Sequence, residues 1–157
     1  MNEKELEGHA KAFLRDNFNL SLDIPVRISR RMKSKLGVFT VKYYGGTVTG
    51  SEIVISESFI LNNDRTAVLD VLHHECVHYA LYRTGQPYRD TDVTFVRTLE
   101  KLSISRTRSY KYRGEAFLYE CRKCRYRFSK NMKGYEKRYR CQRCRGKFLY
   151  IGIVHHQ

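Results

Sequence analysis

Two histidines and a glutamate stand in the segment VLHHECVHYALYR, residues 71–83, at a spacing that suits metal-dependent hydrolysis. His74 and His78 are four residues apart, so on a helix their imidazoles lie on one face and can share one ion. Glu75 projects about 100° away from His74 around the helix, which suits it to a water molecule on that ion. The pattern predicts a catalytic zinc site with Glu75 as the general base in amide hydrolysis, acting on a zinc-bound water. The plain alternative is an exposed helix with two ordinary histidines.

The third ligand of this zinc site is not a nearby histidine. A catalytic zinc usually takes three protein ligands, and after His78 the next histidine is His155. An oxygen donor must therefore complete the site, and Asp90 and Asp92 are the close candidates. Either aspartate can also cap the helix that follows.

Three neighbours of the ligands have expected roles of their own. Asp70 lies one turn before His74 on the same side, and we expect it to orient that imidazole. His73 falls on a different face and is expected to be a surface residue or to support the ligands indirectly. Cys76 is expected to be a small buried apolar residue rather than a nucleophile.

A second metal site is predicted near the carboxyl end. Cys121-x-x-Cys124 and Cys141-x-x-Cys144 are separated by sixteen residues, a spacing typical of a zinc ribbon with a structural site of four thiolates. In a reducing compartment such pairs bind metal rather than form disulfides. So short a segment buries little core, and we expect its folding to depend on the ion. The cofactor prediction is therefore Zn²⁺ at two sites, one catalytic and one structural.

The positive charge of the chain is concentrated in the same region. Residues 1–100 contain thirteen Lys/Arg and thirteen Asp/Glu, whereas residues 101–150 contain seventeen Lys/Arg and three Asp/Glu. Such an asymmetry predicts a neutral domain followed by a module that binds a polyanion, with nucleic acid as the expected partner. The basic residues expected to contact nucleic acid are Arg122, Lys123, Arg125, Arg127, Lys137, Arg138, Arg140, Arg143 and Arg145.

Aromatic residues are interleaved with these basic residues. Tyr126, Phe128, Tyr135 and Tyr139 could stack on unpaired bases, or they could form the small core of the ribbon. Both interpretations stay open at the level of sequence.

The elements that position the two sites follow from periodicity and breakers. Apolar residues at helical spacing predict an N-terminal helix within residues 1–18, and the segments IPVRISRRM, GVFTVKYYGG and TGSEIVISESFI predict three strands of a mostly antiparallel or mixed sheet. A long helix then begins at cap residues 62–64 and stops at Gly85, and a further helix begins near Thr91 or Asp92.

These elements predict an α+β protein with two parts. We expect a domain over residues 1–102, a basic linker over 103–116 and the zinc ribbon over 117–157. No segment is apolar for long enough to span a membrane, and the charged N-terminus is unlike a signal peptide. The expectation is a cytoplasmic, monomeric protein that does not associate with membranes.

Together the segments IVISESFI, VLHHECVHYALYRTG, YRDTDVTF and YECRKC resemble the SprT-like family of zinc metallopeptidase-type proteins, which includes the Spartan proteases of eukaryotes. The resemblance implies a small zincin-like domain, a minimal metallopeptidase with a three-stranded sheet, followed by the ribbon. It also implies that His74 and His78 bind zinc, that Glu75 is the catalytic base, and that the substrate is a protein bound to DNA.

The resemblance also bears on the third ligand. Where the family has a histidine this chain has Asp90, which favours Asp90 over Asp92. An aspartate lessens the net charge on the metal, so the bound water should be less acidic than with a third imidazole. The competing hypothesis is a non-catalytic nucleic-acid-binding zinc protein whose H-E-x-x-H site is structural or vestigial.

Overall fold

The structure is a computed structural model that describes residues 1–106 and 114–156. The chain divides into two compact units, Met1–Tyr110 and Lys111–Gln157. Both contain helices and small sheets, in agreement with the predicted α+β class. The predicted linker, residues 103–116, lies largely outside the described residues, and the strand that follows it begins at Gly114. The domain boundaries stay a prediction.

The first unit contains four helices and three strands among its described residues. In chain order they are α1 (Glu3–Phe18), β1 (Val26–Ser29), β2 (Gly37–Tyr44), β3 (Thr47–Ser56), α2 (Glu57–Asn62), α3 (Arg65–Arg83) and α4 (Val93–Lys101). The helix α2 is a correction, because the sequence predicts a strand through these residues. The Ser56 hydroxyl accepts a hydrogen bond from the Phe59 amide and so begins a helix there.

The sheet of the first unit is mixed, as predicted, with strand order β1-β3-β2. β3 is central, pairs parallel with β1 and pairs antiparallel with β2. β2 therefore lies at an edge, and its first residue, Gly37, is opposite Ile55 of β3. The early residues of this edge strand line the cleft described below.

Helix α3 carries the H-E-x-x-H motif and is the most buried element of the unit. It begins where the Asp64 side chain accepts a hydrogen bond from the Ala67 amide at 2.8 Å. It ends at Thr84, and Gly85 adopts a left-handed conformation with φ of 68°, which glycine adopts without strain. The predicted cap and stop are both confirmed.

Two apolar clusters hold α3 in place. The larger lies between α1, the sheet and α3, and it includes Leu6, Leu14, Ile53, Ile55 and Leu72. The smaller joins the later turns of α3 to α4. Its members are Val77, Leu81, Phe95, Leu99 and Ile104. α3 is therefore fixed from both sides, and the site residues on it are held by a rigid element.

The second unit is built on a three-stranded antiparallel sheet. Its elements are β4 (Gly114–Cys121), β5 (Arg127–Lys130), a short helix α5 (Tyr135–Arg138) and β6 (Phe148–His156), with strand order β5-β4-β6. Cys121, Cys141 and Phe148 form its buried apolar cluster. Among the described residues of either unit, no helix is long and apolar enough to cross a membrane.

Candidate metal centres

The first candidate site gathers three side chains from two segments. His74 and His78 lie one turn apart on α3, and both are buried, with 1% and 8% of their surface exposed. Asp90, in the loop between α3 and α4, places its Oδ1 3.2 Å from Nε2 of His74 and 3.3 Å from Nε2 of His78. The three ligand atoms lie within 4.8 Å of one another. This spacing fits a single ion bound by two imidazoles and a carboxylate.

The contacts of the two Nδ1 atoms decide which ring nitrogen of each histidine is available to bind a metal. Nδ1 of His74 lies 3.3 Å from the Ser105 carbonyl oxygen, and Nδ1 of His78 contacts the Tyr88 carbonyl oxygen. A carbonyl oxygen only accepts hydrogen bonds, so each Nδ1 carries the proton. In neutral imidazoles the Nε2 lone pairs then face Asp90. Two lone pairs and a carboxylate directed at one point are a donor set that a divalent cation satisfies.

The two candidate aspartates occupy different environments. Asp90 approaches the histidines, whereas Oδ2 of Asp92 accepts a hydrogen bond from the Arg89 amide at 2.8 Å and Asp92 is the N-cap residue of α4. The geometry thus brings Asp90 to the histidines and uses Asp92 in the turn. The role of Asp90 as a ligand stays a prediction.

Glu75 lies beside this donor set with its carboxylate held in place. Its exposed fraction is 2%, and its Oε2 accepts a hydrogen bond from the Phe39 amide of β2 at 2.8 Å. β2 comes this close because residue 37 is glycine. A Cβ at Gly37 would lie 2.9 Å from Cγ1 of Val71 and 3.1 Å from Cγ of Glu75.

A cleft of about 630 Å³ opens over these residues. Glu75, His78 and Asp90 line it together with Gly37 and Phe39 of the edge strand. Its other lining residues are Ser34, Lys35, Leu36, Val38, Tyr88, Arg89 and Arg106. The candidate base, two of the three candidate ligands and an edge strand therefore share one concave site, the usual setting of a hydrolase active site.

Sequence reasoning missed the groups that orient the two histidines. The phenyl ring of Phe95, on α4, stacks on His78 with centroids 4.0 Å apart and meets His74 edge-on at 5.1 Å. The carbonyls of Tyr88 and Ser105 fix the ring tautomers. Backbone carbonyls leave no sequence signal, but the i, i+4 spacing of Phe95 and Leu99 is a signal that could have placed the Phe95 ring in the core.

The neighbours of the ligands have the following surroundings. Oδ1 of Asp70 accepts a hydrogen bond from the Ser105 amide at 3.3 Å, so Asp70 is linked to the His74 imidazole through the Ser105 backbone. His73 stacks on Phe13 with centroids 4.2 Å apart, and burial lowers its pKa. Cys76 is fully buried in the core, as predicted, and burial raises the pKa of its thiol.

The second candidate site is the four-cysteine cluster. The Sγ atoms of Cys121, Cys124, Cys141 and Cys144 all lie within 4.8 Å of one another. The two pairs have matching backbones: the Arg125 amide donates to the Cys121 carbonyl at 2.9 Å, and the Arg145 amide donates to the Cys141 carbonyl at 2.7 Å. This cluster is compatible with a zinc ribbon.

The surroundings of Cys121 and Cys141 lower the pKa values of their thiols. Amide hydrogen bonds from Cys124 and Lys123 lower the pKa of the Cys121 thiol to about 6 against the effect of burial. Burial raises the pKa of Cys141, but amide hydrogen bonds from Cys144 and Arg143, together with hydrogen bonds to the Cys124 and Cys144 thiols, lower it overall. At Cys124 the Tyr126 amide lowers the pKa, but burial and the neighbouring thiols of Cys144, Cys121 and Cys141 raise it to about 11. Two of the four side chains are therefore favoured as thiolates, the form that binds metal.

The basic residues predicted to contact nucleic acid are all exposed on the second unit. Two of them are engaged with an acid: Arg125 and Arg127 donate to the Glu120 carboxylate at 2.9 and 2.6 Å. The hydrogen bonds from Arg127 and then Arg125 hold the pKa of Glu120 below its ordinary value. The guanidinium of Arg143 lies 4.1 Å from the ring centroid of Tyr126. The charge available to a polyanion is therefore not uniform over these residues.

The aromatic residues of the second unit divide between the two sequence interpretations. Phe128 and Tyr135 pack against the buried cluster of Cys121, Cys141 and Phe148. Tyr126 and Tyr139 are exposed, at 40% and 45%. The first pair forms part of the core, and the second pair is accessible from solvent.

The first unit is an α+β unit in which an H-E-x-x-H helix and a loop carboxylate form one candidate metal site, and the second unit holds a four-cysteine cluster. The sequence profile of the SprT-like family matches residues 4–109. The chain belongs to the SprT-like family.

Relatives named Protein SprT-like bear this out over different lengths of chain. The Lactiplantibacillus plantarum protein is 31% identical over 104 residues, which cover 60% of this chain and 67% of that protein. The Bacillus subtilis protein is 24% identical over 155 residues, covering 96% of this chain and 99% of the relative. The Streptococcus gordonii protein is 37% identical over 82 residues, covering 52% of this chain and 56% of the relative. The similarity to the second of these therefore extends through the four-cysteine unit.

Proposed function

We propose that this protein is a zinc-dependent metallopeptidase of the SprT-like type, with a zincin-like first unit and Glu75 as its general base. The observation that carries the proposal is the shared cleft. The buried Glu75 carboxylate opens into the same concave site as His78 and Asp90, beside an edge strand. A purely structural metal site has no need of a buried carboxylate held next to it.

The residues of the cleft have separate roles in this proposal. His74, His78 and Asp90 would hold a zinc ion, which when bound supplies a Lewis acid and a more acidic water. Glu75 takes the proton of the attacking water and passes it to the leaving amine. The Phe39 amide, 2.8 Å from Oε2, holds the carboxylate in position for both transfers. The carbonyls of Ser105 and Tyr88 keep the imidazole protons on Nδ1.

The edge strand provides a place for the substrate chain. Gly37 to Phe39 of β2 line the cleft beside Glu75, and β2 pairs with β3 on one side only among the described strands. An extended peptide can add to such an edge by main-chain hydrogen bonds. This arrangement supports a polypeptide as the substrate class.

The second unit supports the accompanying proposal that the protein acts at nucleic acid, with DNA favoured. Its nine predicted contact residues are exposed, and two tyrosines are accessible for stacking. Binding of this kind would be largely independent of base sequence and would weaken steeply with salt.

The test of the proposed function separates metal binding from catalysis. Two donor clusters predict two zinc ions per chain. His74→Ala and Cys121→Ser should each remove one of them, as measured by elemental analysis. Glu75→Gln should keep both ions and abolish cleavage of an unfolded protein substrate, assayed with and without single-stranded DNA. Equal slow cleavage by Glu75→Gln and the wild-type protein would overturn the assignment of the base.

The second candidate function is a nucleic-acid-binding zinc protein without turnover. The observation that favours it is the carboxylate of Asp90 beside the two histidines, because a negative ligand makes a bound water less acidic. The two functions differ in one result. The non-catalytic protein would bind two zinc ions and DNA and cleave nothing under any loading condition.

A further inference from the structure

The cleft over the candidate metal site carries more positive charge than its ligands account for. Three cationic side chains line it, and they come from three segments: Lys35 before β2, Arg89 before α4 and Arg106 after α4. Each is a close chain neighbour of a residue that contacts the site. Arg89 precedes Asp90, Arg106 follows Ser105, and Lys35 is two residues before Gly37.

Within the described ranges 1–106 and 114–156, these three side chains form no ion pair. Several other cations of the first unit do, and the pairs are Lys11 with Glu7, Arg15 with Asp16, Arg27 and Lys42 with Glu52, Arg30 with Glu57, and Arg83 with Asp23. Residues 1–110, the whole of this unit, contain sixteen basic and thirteen acidic side chains. The unit as a whole is therefore close to neutral, whereas its cleft is lined by three cations and two acids.

The acids inside the cleft do not offset these cations once a metal is bound. The cleft contains Glu75 and Asp90, and the two charges of a divalent ion balance their carboxylates. Lys35, Arg89 and Arg106 then remain uncompensated in a concave site, where the field of like charges is focused. The partner that complements this site is anionic.

The polar groups of the cleft distinguish between two anionic partners. A nucleic-acid backbone presents only acceptors along its phosphates, so it has no donor for the carbonyl oxygens of a strand edge. An extended peptide presents alternating N–H and C=O groups that match the edge of β2, while its carboxylate side chains can reach the three cations. The cleft therefore fits an acidic peptide better than a phosphodiester chain.

We propose that the cleft selects polypeptide segments with aspartate or glutamate side chains close to the peptide bond that is to be cleaved. Lys35, Arg89 and Arg106 are the specificity-determining residues. This inference rests on the proposed function for its site but concerns recognition rather than turnover. The two units then have different ligands: the second unit binds nucleic acid, and the cleft of the first unit binds an acidic segment of a polypeptide.

The test measures binding without cleavage. The full chain carrying Glu75→Gln and loaded with zinc is titrated with three fluorescent peptide pools that have random central residues flanked by Glu, Gln or Lys. The Glu pool should bind about tenfold more tightly than the Gln pool, the effect of three exposed ion pairs, and the Lys pool most weakly. The difference should shrink as salt rises. Equal affinities, or a preference for the Lys pool, would overturn the proposal.

Charge reversal tests the residues themselves. Lys35→Glu, Arg89→Glu and Arg106→Glu combined should abolish the preference for the Glu pool, and each single reversal should reduce it about twofold, which keeps the test valid if the triple variant fails to fold. The matched control is Arg97→Glu, an exposed cation on α4 that does not line the cleft. It should leave the preference unchanged.

Two further outcomes separate this inference from its alternatives. If the wild-type protein cleaves nothing while the Glu pool still binds selectively, the proposed function fails and the recognition proposal stands. If the triple reversal lowers affinity for single-stranded DNA and leaves peptide selectivity unchanged, the cleft belongs to nucleic acid and the recognition proposal is wrong.

Discussion

Asp90 is the residue on which the chemistry of the first site turns. It is 66% exposed at its side chain, yet its Oδ1 lies within 3.3 Å of both histidine Nε2 atoms. Its neighbour Asp92 is used by the turn before α4. The two aspartates are therefore a matched pair, equal in chemistry and different in placement.

The first prediction compares alanine substitutions at Asp90 and Asp92. Asp90→Ala should weaken zinc binding at the H-E-x-x-H site by more than about a hundredfold, because a direct ligand contributes more than an outer-sphere partner. Asp92→Ala should retain the ion and only loosen the turn that precedes α4. Competition with a chromophoric chelator measures both. Equal losses in the two variants would contradict the assignment of Asp90.

Gly37 is a second residue whose identity is fixed by the site. Gly37→Ala would place a Cβ 3.0 Å or closer to Val71 and Ile55 and 3.1 Å from Glu75. Such crowding costs about 1–3 kcal/mol of stability and displaces the Glu75 carboxylate from the Phe39 amide. We expect cleavage to fall by a larger factor than zinc affinity, measured on the same preparation.

The control for this prediction lies in the same sheet. At Gly50 of β3 an added Cβ meets no atom within 4 Å. Gly50→Ala should leave cleavage and metal content unchanged, and a similar loss in both variants would point to general damage of the sheet instead.

At the scale of elements, the segment after α4 supports α3, the helix that carries the H-E-x-x-H motif. The Ser105 carbonyl accepts from Nδ1 of His74, and the Ser105 amide donates to Asp70, one turn before His74 on α3. Through Asp70, α3 thus holds the Ser105 peptide group, which in turn orients the His74 imidazole of the same helix. Ser105, which follows α4, is in this way linked to both His74 and Asp70 of α3.

This arrangement predicts the effect of Asp70. Asp70→Ala should release the Ser105 peptide and lower zinc affinity at the first site about tenfold, the range for outer-sphere partners. Asp70→Asn keeps an acceptor oxygen and should restore most of the affinity. Asp16→Ala, an exposed change on α1, is the control. Full affinity in Asp70→Ala would show that Ser105 needs no support from α3.

At the scale of the whole molecule, charge divides the protein. The first hundred residues are neutral, whereas the second unit, residues 111–157, contains fourteen Lys/Arg against three Asp/Glu. Within that unit Glu120 engages Arg125 and Arg127, whereas Arg138 has no acidic partner among the described residues. The nucleic-acid affinity should therefore depend more on arginines without an acidic partner, such as Arg138, than on Arg125 and Arg127.

The prediction compares Arg138→Ala with Arg127→Ala. Arg138→Ala should lower the slope of log affinity against log salt by about 0.7 for single-stranded DNA, the contribution of one phosphate contact. Arg127→Ala should change the slope less, because Glu120 already offsets its charge. Titrations of an oligonucleotide at several salt concentrations measure both slopes. A larger change in Arg127→Ala would contradict this division.

The sequence by itself determined the features that depend on short spacing. Two histidines four residues apart and cysteines in two C-x-x-C pairs are local properties of the chain, and they predicted both donor clusters. The periodicity of apolar residues is also local, and it predicted the α+β class. Caps and stops are local as well, which is why the bounds of α3 were predictable.

The tertiary structure alone decided what surrounds these features. The hydrogen bond from Phe39 to Glu75 joins residues 36 apart in the chain, and that from His74 to Ser105 joins residues 31 apart. The family resemblance already favoured Asp90 over Asp92, but the approach of Asp90 to both histidines depends on how its loop folds back on α3. The gathering of Lys35, Arg89 and Arg106 at one cleft depends likewise on three separate segments. No local pattern encodes such contacts, because they arise from packing between distant segments.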